Sequence, residues 1–178
     1  MGFFYNEDVF RQAGVDATKI KTWDDYYEAA EKLKEIGAYI AADSGDGSFY
    51  DAMVWLAGGQ PFHTSADGKT VTIDLDEDAG TQRFTEFWQK MIDEGLVDTT
   101  SATWSDRWKS RVGTGTIASV FSGAWMPSLL LSNVPGAAGL WRVAPMPTYG
   151  GQPANAENGG SALTVLQLTR KPDAAYRF

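Results

Sequence analysis

Residues 115–131 read GTIASVFSGAWMPSLLL, and the order in which these residue types arrive decides the fold class. Thr116 to Phe121 is a short apolar run with β-branched and aromatic members, which predicts a buried strand. Ala124 to Leu131 then reads as a short helix bearing Pro127 in its first turn, where the missing N–H leaves no intrahelical bond unmade. Trp125 falls at the junction, an indole presented where a strand ends, beside a glycine that lets a ligand approach the backbone.

The same strand-then-helix grammar runs through the rest of the chain. Phe3-Phe4-Tyr5 is a strand candidate, and Asn6 caps a helix whose first turn carries Glu7 and Asp8 and which Gly14 ends. Thr22 caps a second helix with Asp25 at its third position, and Tyr26, Ala29, Ala30 and Leu33 share one face until Gly37. Ala38 to Ala42 fits a buried strand, Asp43 to Ser48 a polar loop at its carboxyl end, and Phe49 to Ala57 a helix stopped by Gly58-Gly59. Asp67-Gly68 signals a hairpin between Phe62–Thr64 and Lys69–Ile73. Asp76 starts the longest helix, with Glu77 and Asp78 in its first turn and Phe84, Phe87, Trp88, Met91 and Ile92 as its core-facing stripe, closed by Gly95. Trp104 to Val112 reads as another helix, Leu140 to Val143 as a strand, Ala144 to Gly160 as a Pro/Gly-rich loop, Ala162 to Leu168 as a strand and Lys171 onward as a helix. Strands alternating with helices predict an α/β fold whose sheet is flanked by helices on both faces, with ligands gathering outside the carboxyl ends of the strands.

At 178 residues and 43% hydrophobic content the chain supports one substantial core, so a single domain is expected. It has no run of about eighteen apolar residues, and Met1 to Asn6 lack the basic start and apolar stretch of a signal peptide, which predicts a soluble chain. A formal charge of −8 disfavours nucleic acid and anionic membrane surfaces, because the Lys and Arg residues are scattered. The absence of cysteine excludes disulfides and thiolate chemistry and leaves the compartment open. No metal or cofactor is expected: His63, the one histidine, has no acidic pair at ligand spacing, and no Walker loop, dinucleotide fingerprint or Gly-x-Ser-x-Gly elbow occurs.

Several segments, in order, resemble the extracellular solute-binding proteins of ABC sugar importers, the maltose-binding and multiple-sugar-binding type. They are Tyr5-Asn6 with Phe10 and Gly14, Thr22-Trp23-Asp24-Asp25, Trp55 with Gly58-Gly59, and Gly95-Leu96. They continue with Gly115-Thr116-Ile117-Ala118 through Gly123-Ala124-Trp125, Pro145-Met146-Pro147, Gly159-Gly160, and Pro172 to Phe178. Asp25 stands where the family usually has Glu, and Thr116 where it has Lys. The resemblance implies a periplasmic-binding-protein-like (type II) fold, of which residues 1–178 would be a single lobe with hinge-crossing segments near 1–6 and 160–170. It further implies non-catalytic binding of a mono- or oligosaccharide, docking on membrane permease subunits, and a periplasmic or extracellular location with a lipid tether in the full-length protein. A lobe without its partner would expose an apolar hinge surface around Phe3, Phe4 and Leu163 to Leu168, so self-association is expected.

Sugar recognition needs a flat apolar face for pyranose C–H groups, ringed by polar groups for the hydroxyls. By the resemblance Trp125 supplies that face; it would equally serve as a plug between helix and sheet. Ser48, Phe49 and Tyr50 lie where some family members present aromatics to ligand, with Phe49 as helix anchor the alternative. Asp43 and Asp46 could accept hydroxyls or simply cap their loop. Asn158, Gly159, Gly160 and Ser161 form a turn that would admit a sugar against the backbone. Trp104, Asp106 and Trp108 could edge the cleft or bury two indoles. A glycoside hydrolase, for which Glu157 and Asp106 would be the acid pair, and a carbohydrate-binding adhesion module are the competing classes; the latter usually sits on a β-sandwich, against which the capped helices speak.

Overall fold

The computed structural model describes residues 1–134, 136–160 and 162–177. Its organising strand is β1 (Gly2–Asn6), which lies between two antiparallel neighbours, β6 (Ser119–Ser122) and β7 (Trp141–Ala144). Phe4 stands opposite Val120 on one side and Val143 on the other. A separate parallel pair, β2 (Ala41–Ala42) with β5 (Val97–Asp98), is tied to this sheet by an isolated parallel bridge between Tyr39 and Ile117, just ahead of β2 and β6. The strand pairing is therefore mixed rather than purely parallel.

Alternation along the strands splits the interior in two, since successive side chains point to opposite faces. Phe3, Tyr5 and Phe121 face one cluster with α1 (Glu7–Gln12), α2 (Trp23–Glu35), α3 (Tyr50–Leu56) and α4 (Ala79–Asp93), and Ala118, ahead of β6, joins it. Phe4, Val120 and Trp141 face the other, joined by Ile117 from ahead of β6 and closed by α5 (Asp106–Thr114) and α6 (Met126–Asn133). Helices thus cover both faces, as the strand–helix alternation predicts.

The caps form as the residues dictate. Asn6 accepts from Val9, and Thr22 and Asp25 complete a capping box. The β3–β4 hairpin (Phe62–Thr64, Val71–Ile73) turns at Asp67-Gly68, with its second strand two residues shorter than expected. Three expectations change. The longest helix begins at Ala79 with Asp78 as its cap, so Asp76 and Glu77 precede it. The fifth begins at Asp106 under a Ser105 cap, which leaves Trp104 outside. Ala162 to Leu168 forms no strand; Leu163 is 91% and Leu168 94% exposed, with no neighbour to complete a ladder, and α7 (Pro172–Arg177) follows it. No helix is long and apolar enough to cross a membrane among the described residues.

Candidate functional site

The carboxyl end of β2, strand β6 and the first turn of α6 enclose a cleft of about 200 Å³. Trp125 occupies the N-cap position of α6, where its side chain makes no cap bond and stays 43% exposed. Its ring folds back over Gly123: any Cβ there would sit deep inside the indole. The Cη2 corner of the same ring also lies near Gly159, where a Cβ would make ordinary contact with it at 3.5 Å. The missing side chain of Gly123 therefore admits the folded-back indole, and the ring lines the cleft.

Phe49 lines the cleft and is also anchored, its ring edge-on to Trp88 at 5.3 Å, so both readings of this residue hold in geometry. Ser48 and Asn158 line it as well. Trp108 forms part of its wall, 2% exposed, with its backbone N–H donated to the capping Ser105 hydroxyl at 3.1 Å. Helix α5 is fastened to the sheet by Arg111, whose guanidinium lies 2.6 Å from the buried carboxylate of Asp98. Burial pushes the Asp98 carboxyl up, but hydrogen bonds from Ser101, Thr100 and Arg111 outweigh it and hold the group at about 2.

Four expected residues lie elsewhere. Tyr50 is turned one helical position from Phe49 toward α4, where its hydroxyl pairs with Thr85 and its ring packs edge-on to Phe84; it borders a separate hollow of about 230 Å³. Asp106 lies two positions from Trp108, hence on the opposite face of α5, and pairs with Lys109 at 3.4 Å in solvent. Gly159 backs the Trp125 ring without bordering the cleft, and Gly160 sits beside the Glu157 carboxylate. Ser161 lies outside the described residues. Asp43 and Asp46 are engaged by the loop itself: Asp43 accepts from the Gly45 amide and the Trp88 indole, each at 2.8 Å, and Asp46 from the Ser48 amide at 2.9 Å.

The whole chain, residues 1–178, matches the family described as Bacterial extracellular solute-binding protein. The chain belongs to this family. It is 24% identical over 179 residues to the arabinooligosaccharide-binding protein of Bacillus subtilis (strain 168), an alignment that covers 98% of this chain and 40% of that relative. It superposes with a TM-score of 0.90 on the ABC transporter associated binding protein from B. animalis subsp. lactis Bl-04, solved in complex with beta-1,6-galactobiose. The identity is 56%, over 99% of this chain and 44% of that one. The galacto-N-biose-/lacto-N-biose I-binding protein of Bifidobacterium longum shares the fold at a TM-score of 0.79 and 24% identity, over 99% of this chain and 43% of that one. The chain spans about 40% of the length of these relatives.

In this member of the family the cleft also holds residues that the sequence reading did not place among the ligand contacts: Thr103, Ser119 and Ser122. The signal for the two serines was present, since a hydroxyl at each end of an apolar strand needs either an internal partner or a ligand. Ser119 takes the internal course, donating to the Ile40 carbonyl.

Proposed function

We propose that this chain is one lobe of a two-lobe solute-binding protein of an ABC importer, and that its cleft forms half of a site for a neutral mono- or oligosaccharide. The hinge-crossing segments are residues near 1–6 and 160–170. The carrying observation is the Trp125 indole, partly exposed and folded against Gly123, which is the flat apolar face that a pyranose ring requires. The polar side chains around it, Ser48, Thr103, Ser122 and Asn158, are uncharged donors and acceptors suited to hydroxyls. The neighbour that is 56% identical was solved with beta-1,6-galactobiose, which makes that disaccharide the first ligand to test.

Family membership carries a periplasmic or extracellular location, and the lipid tether is part of the proposal. The mechanism needs no bond-making step: sugar bridges the lobes, closure buries it, and the closed form docks on permease subunits. Asp106 and Glu157, the acid pair a glycosidase would need, are not among the cleft-lining residues.

Calorimetric titration of the complete protein with β-1,6-galactobiose and a panel of neutral sugars tests this. Trp125→Ala is expected to weaken binding by about 1–3 kcal/mol through loss of one aromatic anchor. Unchanged affinity in a folded variant would remove Trp125 from the site.

A further inference from the structure

Trp104 is the single non-glycine residue with a left-handed backbone among those described, at φ 68°. For a bulky side chain that region is disfavoured sterically, so the surroundings must hold the residue there. Helix α5 starts two positions later under its own Ser105 cap, so helix initiation does not call for the strain. The left-handed turn swings the indole back over the cleft wall. Its ring lies 4.9 Å from that of Trp108 at 55°, and the pair is asymmetric: Trp108 is buried, whereas Trp104 remains 38% exposed. Both line the cleft that Trp125 borders from another element. A ring placed for packing alone would bury its area; this one is supported from beneath and left open toward the cavity.

We propose that Trp104 is a second ligand-contacting ring of the cleft, held over it by its left-handed backbone, and that a neutral saccharide is bound against the Trp104 and Trp125 indoles together. The inference rests on the cleft being the sugar site.

The discriminating variant is Trp104→Gly, because glycine adopts the left-handed conformation freely: it removes the ring and relieves the backbone at once. In the complete protein, with β-1,6-galactobiose and a panel of neutral mono- and disaccharides as probes, the dissociation constant is expected to rise about tenfold or more. The melting temperature should stay within about 3 °C of wild type or increase. Trp104→Phe, which keeps a ring, should recover most of the affinity. In the wild-type protein the Trp104 indole N–H resonance should shift on sugar addition, a readout independent of any variant's folding. Trp125→Ala is measured in parallel. If it weakens binding while Trp104→Gly does not and the Trp104 resonance stays still, Trp104 is a structural residue and the site reading survives. If neither variant changes affinity, or wild type binds none of the sugars, the site reading falls and the role of Trp104 with it.

Discussion

Trp125 folds into volume that one residue without a side chain leaves open. A Cβ on Gly123 would overlap the ring, whereas one on Gly159 would only touch it, so the Gly-x-Trp spacing is a steric device as much as a recognition motif. A second residue-scale device lies behind the cleft. Asp98 is buried, and its carboxylate accepts from the Thr100 amide at 2.9 Å and hydroxyl at 2.7 Å while facing Arg111. Its folded pKa, about 2, lies below the ordinary 3.8, so the native state binds this proton less readily than the unfolded chain does. The stabilisation is accordingly full above about pH 4 and is lost as pH falls toward 2, with an upper magnitude of about 2 kcal/mol. Chemical denaturation from pH 2 to 7 should show that slope. Asp98→Asn should flatten it and lower neutral-pH stability by about 3 kcal/mol, because Arg111 is left without its counter-charge. A variant whose pH profile parallels wild type would show that Asp98 does not carry the acid sensitivity.

The junction of α3 with α4 depends on backbone contact. Gly59, just past α3, and Gly80, in the first turn of α4, approach so closely that a Cβ on Gly80 would overlap the Gly59 main chain. Backbone cannot swing aside as a side-chain tip can, so Gly80→Ala should cost roughly 3 kcal/mol, at the upper end of overpacking. Thermal melts would measure it; a loss under 1 kcal/mol would mean the helices slide apart easily. This contact also explains where α4 begins. Asp76 and Asp78 are equally good caps in sequence, and it is Asp78 whose carboxylate takes the amides of Gln60 and Thr81, with Gly80 against Gly59. Caps with a local partner, such as Thr22 with Asp25 or Asn6 with Val9, were legible in the sequence because their hydrogen bonds close within three residues. Trp125, Ser48 and Phe49 sit on turns between elements and line the cleft, a placement legible in the sequence. Tyr50 and Asp106 face away from it, because facing depended on helical position. Ser105 was a readable cap signal that would have put Trp104 outside α5. The apolar run from Ala162 to Leu168 has the composition of a strand, but pairing requires a neighbour, and this run lies in no ladder with a described strand.

At the scale of the molecule, one sheet divides two unequal clusters, and the cleft opens along that divide, where β2 and β6 end and α6 begins. A cleft of about 200 Å³ walled by this chain alone would offer one side of a pyranose a surface and leave the other in water. If a complete binder of this kind holds sugar near micromolar, about 8 kcal/mol, and each lobe supplies about half of the interaction, the 178-residue chain alone should bind near millimolar, about 4 kcal/mol. The experiment is an NMR titration of the indole N–H signals of the isolated chain, with sedimentation velocity at each concentration, since exposed Leu163, Leu166 and Leu168 favour association of copies. Shifts confined to Trp125 and its neighbours, saturating in the millimolar range, would mean that this lobe carries a preformed half-site and that closure adds the rest. Micromolar binding by the isolated chain would mean that the ligand is held by this lobe alone, and the two-sided mechanism would have to be abandoned.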